Sequence, residues 1–187
     1  MIITKSNINK FIEGTRMNCP DMGITHIEYI PDGITRLFCY NNKLTELPKL
    51  PESLIGLYCQ YNKLTELPKL PNSLTYLDCY NNELTSLSKL PDSLKRLYCD
   101  NNELTELPIL PNSLIGLYCD NNRLTKLPIL PENLTSLHCW ENDLPYRVTL
   151  KRFKEHDILS IKEHNTFLKR KKIINQILNE NLVFLSL

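Results

Sequence analysis

Seven cysteines, Cys19, Cys39, Cys59, Cys79, Cys99, Cys119 and Cys139, fall one every 20 residues. Thiols at that density suggest a disulfide framework, a metal site or a nucleophile. The spacing argues against the first two, because the number is odd and no C-x-x-C pair occurs. A nucleophile needs a base. His138 precedes Cys139, but adjacent residues of a strand point to opposite faces, so the two cannot form a nucleophile–base pair. Asp100 and Asp120 recur at the same spacing, and without a pocket they read as a charged surface. No G-x-x-x-x-G-K-S/T, G-x-G-x-x-G or H-E-x-x-H motif is present. These residues predict no enzyme, no metal site and no cofactor. The cysteines read as small buried hydrophobes.

The elements that position them follow from the same period. Ile34 to Leu44 reads L-x-x-L-x-C-x-x-N-x-L, with Ile34 at the first apolar position, and the pattern returns at 54–64, 74–84, 94–104, 114–124 and 134–144. A short fixed period marks a solenoid, in which each unit touches only its neighbours. Leu37-Phe38-Cys39 and its equivalents alternate inward, outward, inward, which predicts a short strand per unit stacked in register as a parallel sheet. Leu47-Pro48-Lys49-Leu50-Pro51 cannot be a helix, because proline lacks a donor and restricts the residue before it. That half is predicted to be extended and polyproline-like, with Leu47 and Leu50 inward and Glu46 and Lys49 in water. The asparagine column, from Asn42 and Asn62 to Asn142, is expected to bond backbone groups of its own and the next turn as a ladder.

Residues 17–144 are assigned to repeats, one degenerate and six regular. In the degenerate unit, Met17, Cys19, Ile24, Ile27 and Ile30 keep the apolar phase while Met22 replaces the asparagine. Residues 1–16 are expected to form an N-terminal cap, with Ser6 capping a short helix that carries Phe11 and Ile12 on one side. Residues 145–187 are expected to form a helical C-terminal cap of two helices, about 149–164 and 166–179.

The formal charge is +1, too small to point to nucleic acid or a membrane surface. It is unevenly placed: residues 145–187 carry nine Lys/Arg against four Asp/Glu. Lys169-Arg170-Lys171-Lys172 reads first as a solvated helix face, and second as a patch for an anionic surface or a recruited enzyme. Unpaired thiols fit a reducing, intracellular compartment, the first ten residues lack an apolar secretory core, and no run approaches the ~18 apolar residues of a membrane span.

With the inward positions committed to the core, function falls to three outward columns. The first is Phe38, Tyr58, Asp78, Tyr98, Tyr118 and His138. The one before it contains Arg36, Gly56, Tyr76, Arg96, Gly116 and Ser136. The one after the cysteines is Tyr40, Gln60, Tyr80, Asp100, Asp120 and Trp140. On a curved solenoid they line the concave face. Tyr, Trp and Arg are common interface anchors, and Gly56 and Gly116 leave room beside Tyr58 and Tyr118. The expected partner-binding residues are Arg36, Phe38, Tyr40, Tyr58, Tyr76, Asp78, Tyr80, Arg96, Tyr98, Asp100, Tyr118, Asp120, His138 and Trp140. The expected ligand is a protein, bound by a monomer, with nucleic acid disfavoured.

The repeat, with its L-P-x-L-P second half, resembles the leucine-rich repeat family in its short, 20-residue bacterial type. It is similar to the repeat arms of secreted effectors such as YopM and the IpaH ubiquitin ligases. In its Asn-, Ile- and Lys-rich composition it is also similar to repeat proteins of amoeba-infecting giant viruses. The resemblance implies an α/β-type solenoid with short parallel strands on the concave face, and a protein-binding role. In the ligases the catalytic cysteine lies in a large domain after the repeats. Here the last cysteine is Cys139 and 43 residues follow Pro145 inclusive, so the resemblance implies binding without ligase activity.

Overall fold

The computed structural model describes residues 1–145, 147–149, 158–160 and 162–170. It divides into two compact units, Met1–Pro145 and Tyr146–Leu187.

In the first unit each repeat contributes one three-residue strand: β5 (Arg36–Phe38), β6 (Gly56–Tyr58), β7 (Tyr76–Asp78), β8 (Arg96–Tyr98), β9 (Gly116–Tyr118) and β10 (Ser136–His138). They pair in parallel with no slip, Leu37 facing Leu57, Leu57 facing Leu77, and so on to Leu137. The strands begin one residue earlier than expected, at Arg36 rather than Leu37, because hydrogen bonds close around the inward leucine. The cysteine follows the strand, still tied by its N–H to the next rung, as Cys39 N–H is to Tyr58 O (2.9 Å).

After the cysteine the chain turns through a residue with positive φ, at Asp21, Asn41, Tyr61, Asn81, Asn101, Asn121 and Glu141. Asparagine suits that left-handed geometry and most side chains do not. In the six regular repeats the next residue is the ladder asparagine. Asn102 Oδ1 accepts from Leu84 N–H (3.0 Å), while Nδ2 donates to the carbonyls of Cys79 (3.1 Å), Cys99 (3.1 Å) and Asp100 (3.1 Å). The pattern repeats at Asn42, Asn62, Asn82, Asn122 and Asn142. Two of the four bonds stay within the amide's own turn, as expected, and the other two run to the preceding turn rather than the next, since the amide reaches back to an N–H left unpaired where the earlier coil bends away.

The second half of each coil is extended and forms no ladder with its neighbours among the described regular repeats, as the prolines require. Leu47 and Leu50 are buried and Glu46 and Lys49 exposed. Each coil then closes on a turn in which a proline carbonyl accepts from the residue three on, as Pro51 O does from Leu54 N–H (3.1 Å). Ser73, Ser93 and Ser113 pin that turn, each hydroxyl donating to carbonyls of the coil before. This serine column was not singled out from sequence.

At the N-terminal edge β1 (Ile2–Ile3) pairs in parallel with β4 (His26–Ile27) of the first coil. β2 (Ile12–Glu13) runs antiparallel to β3 (Arg16–Asn18), which pairs with β5. Both layers of the first coil are thus covered, which blunts an otherwise sticky edge. The short helix is a single 3₁₀ turn, Ile8–Phe11; Asn7 rather than Ser6 precedes it, with no side-chain cap, and Ile8 rather than Phe11 is the buried member. Met17, Cys19, Ile24, Ile27 and Ile30 of the degenerate unit are all buried.

In the second unit β11 (Arg147–Thr149) pairs in parallel with β12 (Ile158–Ser160), and among the described residues a helix, α1, covers 162–170. The expected helix 149–164 is wrong at Thr149 and over 158–160, where Ile-Leu-Ser is a run too short for periodicity to separate strand from helix, while 162–164 are helical as expected and continue without a break through 165. Of the expected helix 166–179, residues 166–170 are helical and the rest lies outside the described residues, as do Lys171 and Lys172.

Candidate functional site: the outer face of the sheet

In-register parallel strands place equivalent residues about 4.8 Å apart, close to the optimum for offset-stacked rings. The outer column exploits that spacing. Phe38 and Tyr58 stack with centroids 4.5 Å apart, Tyr98 and Tyr118 at 4.4 Å, and Tyr118 and His138 at 4.7 Å. The column is broken at Asp78, and there Tyr76, two residues upstream on the same strand, swings its ring into the gap. It lies 4.8 Å from Tyr58 and, tilted by 36°, 5.4 Å from Tyr98. The result is a continuous row of six rings from Phe38 to His138. The five from Phe38 to Tyr118 are half-buried and His138 is exposed.

The glycines accommodate the row. A Cβ on Gly56 would stand 3.0 Å from Tyr58 Cε2, and one on Gly116 3.4 Å from Tyr118 Cε2. Arg96 leans on Tyr98, its Nη1 donating to the phenol oxygen at 3.5 Å. Arg36 is exposed, Tyr40 half-buried and Trp140 exposed.

Beside the rings runs an acidic seam. Asp100 Oδ1 accepts from Asp120 N–H (3.1 Å), and Asp120 Oδ1 from Trp140 N–H (2.6 Å). His138 Nδ1 lies 3.8 Å from Asp120 Oδ2. Asp78 departs from its expected place on the exposed face: it is 8 % exposed, on the rung where the Tyr76 ring bridges Tyr58 and Tyr98. Burial, with a smaller push from Asp100, raises its carboxyl to about 6 against the pull of the Tyr80 N–H. Burial likewise raises Asp100, and it raises the phenols of Tyr76 and Tyr80 above their usual value. Tyr61 meets the Tyr80 ring edge-on at 4.6 Å. Sequence reasoning missed Tyr61, and it missed the crossing of Tyr76. The only available signal for that crossing was a tyrosine two residues before the one acid in an aromatic column.

Inward, all seven cysteines are buried and none is in a disulfide. Burial pushes Cys19 up to about 12 and Cys39, Cys59, Cys99 and Cys119 well above the usual thiol range. Cys79, Cys99 and Cys119 each donate Sγ–H to the carbonyl of the next strand (3.3 Å). Thiols so placed are unreactive core members. His138 and Cys139 emerge on opposite sides, one exposed and one buried. Among the described residues no three His, Cys, Asp or Glu side chains are placed to hold a metal, and no helix is long and apolar enough to cross a membrane.

This geometry defines a class: a parallel β-solenoid with one strand, one asparagine rung and one proline-rich return per coil. The family profile for leucine-rich repeats (two copies) matches residues 52–92. A leucine-rich repeat domain of a Shigella effector is similar in structure at 30 % identity and TM-score 0.68, covering 83 % of this chain and 70 % of that one. YopM from Yersinia enterocolitica WA-314 is similar at 33 % identity and TM-score 0.61, over 74 % of this chain and 36 % of that one. YopM from Yersinia pestis, described as a leucine-rich effector protein, is similar at 27 % identity and TM-score 0.62, over 83 % and 57 %. The chain belongs to the leucine-rich repeat family, in its bacterial type. It spans about a third of the length of the Yersinia enterocolitica YopM chain it matches, and no curated protein matches it significantly. The leucine-rich repeat fold, shared with effector proteins, supports a protein-interaction module in general.

Proposed function

We propose that this protein is a non-catalytic interaction module that grips a partner protein on the outer, concave face of its sheet. The observation that carries the reading is the continuous row of rings from Phe38 to His138, five of them half-buried and the last exposed. Half-buried aromatic rings offer large, rigid contact area at low entropic cost, and a strip of this length is unusual on a surface that meets nothing. Arg36, Arg96, Asp100, Asp120, Tyr40, Tyr80 and Trp140 border the row and would set polarity and register. The partner contacts a monomer in a reducing compartment, where seven cysteines persist without disulfides. That setting agrees with the effector roles named for the Shigella and Yersinia neighbours.

The test is a double substitution, Tyr98→Ala with Tyr118→Ala, compared with the parent by proximity labelling in the native cell. The partner is lost from the variant while its cooperative unfolding is retained. Undiminished labelling of the same partner would move the site elsewhere.

One observation favours a second reading. Lys169 and Arg170 are exposed at the end of α1's described residues, which suits an adaptor that recruits an enzyme or an anionic surface through its basic C-terminal unit. Charge reversal at both positions, with the ring-face partner retained and a second binder lost, supports it. Loss of neither removes it.

A further inference from the structure

The ring row contains one defect, and the defect holds an unpaired acceptor. Asp78 takes the place of a ring in β7 and is 8 % exposed. Its carboxylate receives the Tyr80 N–H, yet Oδ1 has no hydrogen-bond partner. One rung earlier, Gln60 Oε1 is a second buried acceptor without one. Both residues lie on the outer side of the sheet, on adjacent rungs. Buried acceptors without donors are rare, and here both ask for the same thing.

Charge narrows the choice. Asp100 lies close enough to Asp78 to oppose its ionisation, and Asp78 in turn acts on Tyr76 and Tyr80. The nearest arginine on the face, Arg96, turns to Tyr98. Among the described residues the ion pairs include none on Asp78 or Asp100; His138 stands 3.8 Å from Asp120 and only weakly favours the charged form of Asp100. The seam is an acidic site walled by tyrosines.

Shape narrows it further. Tyr76 is the least well-seated ring of the row, at 4.8 and 5.4 Å and tilted by 28° and 36°, against 4.4 to 4.5 Å and 10° to 15° for the pairs Tyr98–Tyr118 and Phe38–Tyr58. It reaches across from a neighbouring column, so a change in its side-chain torsions withdraws it and leaves a flat slot between Tyr58 and Tyr98 with Asp78 at the base. A planar cation with several in-plane N–H donors fills such a slot. Guanidinium has five donors in a plane and stacks on aromatic faces, whereas ammonium is a compact point charge.

We propose that the Asp78 rung is an arginine slot. A guanidinium from the partner protein takes the place of the Tyr76 ring between Tyr58 and Tyr98, and it donates to Asp78 Oδ1 and Gln60 Oε1. The proposal rests on the reading that the outer face binds the partner, and it names the side chain that anchors it.

The probe is the blocked tripeptide acetyl-Gly-Arg-Gly-amide, with lysine and citrulline versions as controls. Binding is read from tyrosine-ring resonances by NMR at pH 7.5. Saturable shifts at Tyr58, Tyr76 and Tyr98 are expected for the arginine peptide. Citrulline, flat but neutral, binds at least tenfold more weakly, and lysine several-fold more weakly. Asp78→Asn weakens the arginine peptide at least tenfold, and Asp78→Phe, which completes the ring column, abolishes the shifts. If Asp78→Phe fails to fold, the asparagine variant carries the test alone. Equal response to the three peptides, equal response of parent and Asp78→Asn, or no response at all overturns the proposal. If Asp78→Asn keeps the partner that Tyr98→Ala with Tyr118→Ala loses, the arginine slot falls and the binding face stands. If neither variant loses it, the face itself is wrong.

Discussion

Replacing Asn102 by alanine tests the ladder that holds the coils together. The amide makes four bonds, but their loss is unequal. Cys79 O keeps a donor from Asn82 Nδ2 (3.0 Å), and Cys99 O keeps one from Asn122 Nδ2 (3.0 Å). Leu84 N–H has Asn102 Oδ1 as its partner (3.0 Å) and lies in the buried interior. One orphaned donor costs about 1–3 kcal/mol, and a central rung cannot relax toward solvent. The expected loss is about 2–3 kcal/mol, read from guanidinium unfolding at constant slope, with faster amide exchange at Leu84 than at Leu64. Asn102→Asp is expected to be worse than alanine at pH 7. It restores the acceptor for Leu84 but sets a negative charge against the carbonyls of Cys79, Cys99 and Asp100. Asn142→Ala, at a half-exposed rung, costs less than Asn102→Ala. A loss under about 0.5 kcal/mol at Asn102, the scale of ordinary surface changes, refutes the ladder as a source of stability.

Three further outcomes follow from other parts of the structure. Glu141 sits at φ 52° in the left-handed turn where four other coils place asparagine, so Glu141→Asn is expected to stabilise by about 0.5–1 kcal/mol, seen as a raised melting temperature. The carboxyl of Asp78, raised from its ordinary value of 3.8 to about 6, binds protons more tightly folded than unfolded. Its penalty is absent below about pH 4, grows as pH climbs toward 6, and is complete above it, on the order of 2–3 kcal/mol. Asp78→Asn, compared with the parent from pH 4 to 7, is expected to gain stability relative to it with rising pH, and parallel curves contradict the assignment. Ellman's reagent at pH 8 is expected to leave the buried thiols unreacted in the native protein and to titrate seven in denaturant, whereas prompt native labelling of most of them contradicts the packed column.

The architecture was legible because one unit is written six times over. Inward leucines, the cysteine column, the asparagine column and the extended proline-rich return each follow from residue type and period. Offsets were harder to read. The strand begins at Arg36 rather than Leu37, because hydrogen bonding rather than apolar alternation sets its ends. The left-handed residue before each ladder asparagine was hidden, since Asn41 and Asn42 look alike in sequence and do opposite things. On the outer face the aromatic columns could be enumerated, but not the crossing of Tyr76 into the gap at Asp78. That crossing depends on where a ring can reach, and it turned an expected surface acid into a buried one. After Pro145 the repeat ends and only apolar spacing remains. That spacing took Ile158–Ser160 for part of a helix when it is a strand.

Which side of the solenoid touches another protein decides whether the ring face is the binding face. A photo-crosslinking residue at Tyr118, on the ring face, and another at Lys49, on the exposed proline-rich side, put that to one measurement in the native cell. A discrete crosslinked partner is expected from position 118 and none from position 49. A partner captured only from position 49 would contradict it.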